Sequence, residues 1–138
     1  MADLSQTAAN VVADPGFTSQ SGTFGGAIDA GMPVYVDTAD NKLKSADNNA
    51  SALTATVLGL ALNGGANGQP GVVITKGDIN IGATLVVGET YVLSATAGKI
   101  CPIGDLAAGN YVTVLGVAIS TSKLRLAPIV SGAQVPVS

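Results

Sequence analysis

Apolar and polar residues alternate along this chain in short runs, and the runs are separated by stretches rich in glycine, asparagine and aspartate. Alternation or a high content of β-branched residues predicts short strands in seven segments: residues 33–36, 42–44, 72–75, 79–81, 90–93, 99–101 and 123–126. Two longer apolar runs, residues 55–62 and 112–119, each contain one glycine, which favours a strand buried on both faces or a bulge. The pattern predicts an all-β fold with many short strands.

The apolar pattern also repeats. Residues 28–62 align with residues 85–119 at a constant offset of 57 without gaps, and eight of the aligned positions are identical. This predicts an internal duplication, with repeats at about residues 26–82 and 83–130 inside one β domain of residues 26–130. Two copies can bury their apolar faces against each other, whereas a single unit of about 55 residues would be only marginally stable. We therefore expect a small β-barrel or sandwich in which Gly59 and Gly116 occupy equivalent sites, and the pattern leaves open whether the sheet closes.

Residues 1–25 differ from the rest, because they are rich in small polar residues and hold both phenylalanines, Phe17 and Phe24. They predict an extended N-terminal arm, residues 1–25, that the β domain does not need in order to fold. Its two aromatic side chains are candidate partner-binding anchors. The alternative is that the arm folds back on its own domain. The C-terminal tail, residues 131–138, is expected to be exposed and mobile.

The composition is more typical of a protein that assembles with other subunits than of an enzyme. Apolar residues make up 47% of the 138 residues, but charged residues make up only 11%, well below the quarter that is usual in soluble domains. Because the surface carries so few charges, we expect other subunits or partners to cover part of it. The net charge is −3, and the six basic residues are scattered, which disfavours nucleic-acid binding. The first residues lack the regions of a secretory signal, and the apolar runs are too short to span a bilayer, so we expect synthesis in the cytoplasm and no membrane contact.

Residue types that carry catalysis are scarce. The chain has no histidine, which removes the commonest general base and transition-metal ligand. Its one cysteine, Cys101, is expected to be buried and inert. Asp37, Asp40 and Asp47 do not have the spacing of a calcium loop and are ordinary turn residues. We therefore expect no catalytic residue, no metal site, no cofactor and no enzymatic activity.

Three short sequence segments, or phrases, resemble those of a known group of proteins. Residues 30–36 (AGMPVYV), 57–62 (VLGLAL) and 88–93 (GETYVL) resemble the head decoration, or cement, proteins of tailed bacteriophages, and the resemblance covers about residues 26–130. It implies a β-rich, often trimeric protein on the outer capsid surface of a virion, made in the host cytoplasm, that ties major capsid subunits together. The competing class is a receptor- or carbohydrate-binding module of a phage fibre or surface structure. Sugars usually stack on aromatic rings in such modules, whereas this chain has no tryptophan and only three tyrosines.

Overall fold

Ten strands account for most of the regular structure. In the computed structural model, which describes residues 3–136, they are Val11–Ala13 (β1), Thr18–Thr23 (β2), Pro33–Val36 (β3), Leu43–Ser45 (β4), Gly59–Ala61 (β5), Pro70–Ile81 (β6), Thr90–Leu93 (β7), Ile100–Pro102 (β8), Tyr111–Ala118 (β9) and Lys123–Gln134 (β10). Two single turns of 3-10 helix, Ala8–Asn10 and Ile103–Asp105, are the only helical segments in the described part of the chain. The predicted all-β class is therefore confirmed.

The strands form a curled, half-barrel-like antiparallel sheet in the order β4-β3-β5-β6-β10-β9-β7-β8. The long central strand β6 joins the two halves of the molecule, which we define as the first half (residues 26–82) and the second half (residues 83–130). Its residues 70–76 pair with β2 and β5, and its residues 77–81 pair with β1 and β10. One strand thus contacts both halves.

Strand pairing in the second half reproduces that of the first at the offset seen in the sequence. Val34 of β3 pairs with Gly59 of β5, and Tyr91 of β7 pairs with Gly116 of β9. The hairpin of β3 and β4 has the same register as the hairpin of β7 and β8. The repeated register agrees with the gapless sequence alignment, while the origin of the halves in a duplication stays a prediction.

The two aligned glycines occupy equivalent backbone sites, as predicted. A Cβ atom at Gly59 would overlap the carbonyl oxygen of Ile74, and one at Gly116 would overlap that of Arg125. In each case the obstacle is the backbone of the neighbouring strand, which cannot move aside without breaking the sheet. Glycine is needed at both sites for close approach of two strands.

Buried apolar residues form two clusters. The larger, which we call the main core, lies between the halves; its first-half members include Tyr35, Val57, Leu60 and Ile74, and its second-half members include Tyr91, Leu93, Ile100, Leu115 and Leu124. The smaller, the N-terminal cluster, consists of Phe24, Ile28, Val34, Leu43, Ala61 and Val73. The first half therefore contributes side chains to both clusters.

The N-terminal segment lies along the sheet. Strands β1 and β2, which the apolar pattern did not predict, both pair with β6. Phe24 is fully buried in the N-terminal cluster, where it packs on its own chain. This is the alternative in which the segment folds back on its own domain. Removing residues 1–25 would take Phe24 out of the N-terminal cluster. The expectation that the domain folds without these residues stays a prediction.

Other element bounds differ from the sequence-based ones for local reasons. Residues 72–75 and 79–81 belong to one strand, because Gly77, with φ of +131°, bends β6 without ending it. In the run 55–62 only Gly59–Ala61 is a strand. Strand β10 continues to Gln134, so the exposed tail is paired with β9 up to that residue. The last two residues of the expected tail, 137–138, lie outside the described part of the chain.

A loop of the first half is tied to the second half by hydrogen bonds. Asn48, fully buried, donates from Nδ2 to Leu93 O at 2.8 Å. Thr113 Oγ1, also buried, donates to Ala55 O at 2.6 Å. The loop between β4 and β5 therefore fixes how the first half sits on strands β7 and β9.

Candidate interaction surface

Several charged side chains form ion pairs with one another, one group in a hairpin turn and another between two central strands. Lys44 Nζ lies 2.7 Å from Asp37 Oδ2 and 3.3 Å from Asp40 Oδ2. The hydrogen bond from Lys44 lowers the pKa of Asp37, and the same bond raises the pKa of Lys44. Both shifts favour the charged forms, as in an ion pair that stabilises a hairpin turn.

A second pair joins β6 to β10. Arg125 Nε donates to Asp78 Oδ1 at 3.0 Å, and a second nitrogen of Arg125 donates to Asp78 Oδ2 at 3.3 Å. This hydrogen bonding lowers the pKa of Asp78 and raises that of Arg125. The positive charge of Arg125 is therefore matched within the chain.

Cys101 lies in β8 and is buried, as expected. Burial, which disfavours the thiolate, raises the pKa of its thiol to about 11. Because the thiolate is the nucleophile and the metal-binding form, Cys101 is unreactive near neutral pH.

Residues 3–136 contain no group of three or more histidine, cysteine, aspartate or glutamate side chains placed to share a metal ion. Within the same residues, no helix has the length and apolar character needed to cross a bilayer.

A polar cleft of about 520 Å³ lies where the N-terminal segment meets the start of the second half. Its polar lining comes from hydroxyl and amide side chains: Ser5, Thr7, Asn10, Asn80, Thr84 and Ser122. None of the described residues that line it has an ionisable side chain. These residues can offer hydrogen bonds, but none of them could transfer a proton near neutral pH.

The two predicted anchor residues are not brought together as one contact surface. Phe24 is fully buried, whereas Phe17 is 39% exposed and packs beside Gly77. Of the two, Phe17 alone offers a surface to a partner in this structure. A partner contact through Phe17 stays a prediction.

Exposed apolar side chains are concentrated in the second half. Eleven large apolar side chains are exposed in the described residues, and seven of them belong to residues 83–130: Val86, Val87, Ile103, Val117, Ile119, Ile129 and Val130. The longer first half contributes two, Leu53 and Val72. The second half therefore presents most of the uncovered apolar surface.

Part of this surface is a shallow apolar groove on the outward side of β9 and β10. It has a volume of about 320 Å³ and is lined by Val114, Val117, Ile119, Arg125, Ala127 and Ile129, which we call the β9–β10 surface. Val114 pairs with Ile129 across the strands, and Val117 pairs with Arg125, with a register shift between the two pairs. Cross-strand partners point to the same side of a sheet, so each pair contributes two neighbouring side chains to the groove.

The β9 positions of this surface have counterparts that are covered in the first half. Val57 and Leu60, which align with Val114 and Val117, are buried in the main core. Leu60 is 0% exposed and Val117 is 42% exposed. Apolar residues thus occupy these positions in both halves. In the first half both are buried, whereas in the second half Val114 is half-buried and Val117 is exposed.

The interpretation of the sequence did not single out this surface. The sequence alignment did contain a signal for it, because Val57, Leu60 and Leu62 align with apolar residues of the second repeat. What the alignment could not show is which half covers the other. That depends on how the curled sheet packs against itself.

Comparison with protein-family models gave no match, and no curated protein matches the chain. The likeness to phage decoration proteins rests on the three sequence phrases given above.

Proposed function

We propose that this chain is a structural virion protein, a decoration or cement protein on the outer capsid surface of a tailed-phage head. It acts as a homotrimer, links neighbouring major capsid subunits and so stabilises the shell. It performs no catalysis, needs no metal or cofactor, and binds neither nucleic acid nor membrane.

The observation that carries this proposal is the uncovered apolar β9–β10 surface on a weakly charged, nearly all-β chain. An apolar face of paired strands that water contacts is characteristic of a protein that works in an assembly. The ionisable groups described above stabilise turns and strand pairs, and the thiol is buried. The three sequence phrases supply the kind of assembly, a phage capsid.

A carbohydrate-binding module receives less support. Tyr35 and Tyr91 are buried, so neither ring can serve as an exposed platform for a sugar. Tyr91 uses its hydroxyl as the acceptor for the backbone N–H of Val86 at 3.0 Å. Its role is therefore to hold the turn before β7.

The proposal is tested first by the genes beside the one that encodes this chain, where a major capsid or head-protease gene is expected. Undecorated shells assembled from that capsid protein are then sedimented with the purified chain. Saturable co-sedimentation, together with shells that resist heat or low salt better when the chain is bound, supports the proposal. No binding of the intact chain to such shells would overturn it.

Phe17→Ala is the variant that tests the predicted N-terminal contact, because Phe17 is exposed and its loss leaves the N-terminal cluster intact. We expect weaker co-sedimentation with no loss of folding. The matched control is Val12→Ala, another exposed apolar residue of the N-terminal segment. Full retention of Phe17→Ala on the shell would show that the N-terminal segment is not the anchor.

A further inference from the structure

We propose that the β9–β10 surface is covered by other copies of this chain, whose β9–β10 surfaces all meet at the threefold axis of the proposed homotrimer. The inference rests on the proposed function for its purpose, the joining of subunits on a shell, but its test does not require the shell. It assigns the self-association of the protein to a defined set of side chains: Val114, Val117, Ile119, Ala127 and Ile129.

The first argument comes from the first-half residues that align with the β9 residues of this surface. Val57 and Leu60 are buried in the main core of this same chain, which also contains Leu93 and Leu115. Leu62, the counterpart of Ile119, packs against the same core. An aliphatic, hydrogen-bonded strand surface of this kind is therefore complementary to aliphatic strand surfaces that this chain itself provides.

The second argument is charge. Among the described residues that line the groove, Arg125 is the one with a charged side chain, and Asp78 holds it through two hydrogen bonds. Two such faces can meet without bringing unmatched like charges together. A partner chosen by charge would need a charge on this surface to recognise, and the described lining offers none that is free.

The third argument concerns orientation. Inside the chain, the loop after β4 rests on the turn between β7 and β8, where Gly98 N–H donates to Ala46 O at 2.8 Å. The equivalent turn of the first half holds Asp37 and Asp40 with Lys44. In an end-to-end assembly, the first half of a second copy would pack on the second half of this copy in the way that the two halves pack within one chain. The charged turn of the second copy would then be buried in the contact, which is costly.

Association through the same face on each copy avoids that cost. Copies related by a rotation axis then present identical surfaces to the axis, and the assembly closes at a small number of subunits.

Sedimentation velocity over a wide range of protein concentration tests the proposal. The wild-type chain is compared with Val117→Asp and Ile129→Asp, which place a charge on the β9–β10 surface. The matched control is Val72→Asp, which changes a strand valine of nearly the same exposure, 39% against 42%, on the first half. Circular dichroism checks that each variant is folded, and Val117→Thr, which keeps the side-chain shape, replaces any aspartate variant that is not.

We expect the wild type and Val72→Asp to form the same small oligomer, and both surface variants to weaken it by about tenfold or more. A wild-type chain that stays monomeric up to about 1 mM would overturn the proposal, as would surface variants that associate like the wild type. A wild-type monomer that binds shells, with binding lost in Val117→Asp, would overturn it too and assign the surface to the capsid protein instead. An oligomer that does not bind shells would contradict the proposed function and leave this inference standing.

Discussion

Leu60 in the first half and Val117 in the second half occupy the same position of the repeat, next to glycines that pair with β3 and β7. Leu60 is completely buried, whereas Val117 is 42% exposed. The strand register and the apolar character of these positions agree between the halves. The difference lies in their packing: Leu60 lies inside the main core, which residues of both halves form, whereas Val117 is left partly exposed in the described part of the chain.

The hairpins of the two halves show a different relation. Val34 and Leu43 of the first half are buried in the N-terminal cluster with Phe24. Their counterparts, Tyr91 and Ile100, are buried in the main core. Both hairpins are therefore covered, whereas the β9–β10 surface of the second half is not. The comparison teaches that a repeated unit specifies its own strand register, while the cover of its outer face depends on a neighbour.

The largest expected effect tests whether the halves are equivalent. Gly59→Ala and Gly116→Ala should each destabilise the fold severely, by about 4 kcal/mol or more, because Cβ would overlap a strand carbonyl. Chemical denaturation measures the loss. The control is Gly104→Ala, where a Cβ would meet no atom within 4 Å. If one of the two strand glycines tolerates alanine, the backbone sites are not equivalent.

The next largest effect tests the difference between the outer faces. Leu60→Ala should cost about 2–5 kcal/mol, since it opens a cavity in the main core. Val117→Ala should change the stability of the dilute, unassociated chain by about 0.5 kcal/mol or less. Equal losses for the two variants under dilute conditions would mean that the β9–β10 surface is covered within the monomer, contrary to the structure.

A smaller effect concerns the loop between β4 and β5, which joins the first half to the second half through Asn48. Asn48→Ala should cost about 1–3 kcal/mol, because the buried carbonyl of Leu93 would lose its donor. Asn49→Ala changes the exposed neighbouring asparagine and should be nearly neutral. Thermal unfolding of the two variants measures this contrast, and equal midpoints would show that the loop does not fix the halves through Asn48.

The smallest effect is the pH dependence of the polar turn that the second half lacks. The hydrogen bond from Lys44 lowers the folded-state pKa of Asp37, so the ion pair stabilises the fold above the unfolded-state value of 3.8 and stops doing so as pH falls through the folded value. Asp37→Asn should lower the midpoint of thermal unfolding by about 2 °C at pH 7 and make little difference near pH 2. A deficit that is the same at both pH values would show that the charge of Asp37 contributes nothing.

Much of the fold follows from the sequence, because hairpins depend on local residues. The predicted strands of both hairpins and the glycine sites are confirmed, since their turns and alternation lie within a short stretch of chain. Strands β1 and β2 were not predicted. β2 is a run of small polar residues with little apolar pattern, and β6 supplies the partner that makes it a strand.

The candidate surface was beyond prediction from the sequence for a related reason. Leu60 and Val117 have similar neighbours in sequence, so no local pattern separates the buried residue from the exposed one. The same holds for Phe17 and Phe24, which share a polar segment although one is exposed and the other is buried. In both pairs the outcome depends on contacts with distant parts of the chain.

The most direct test of the central claim, that other copies of this chain cover the β9–β10 surface, is thiol labelling of Val117→Cys as a function of protein concentration. Cysteine behaves as a small apolar side chain, and the native Cys101 gives little background because it is buried and its pKa is raised to about 11. Val12→Cys, 61% exposed and outside the groove, is the control. We predict that the labelling rate of Val117→Cys falls about tenfold or more between roughly 0.1 µM and roughly 100 µM protein while that of Val12→Cys stays constant. Constant rates for both variants over that range would contradict the account.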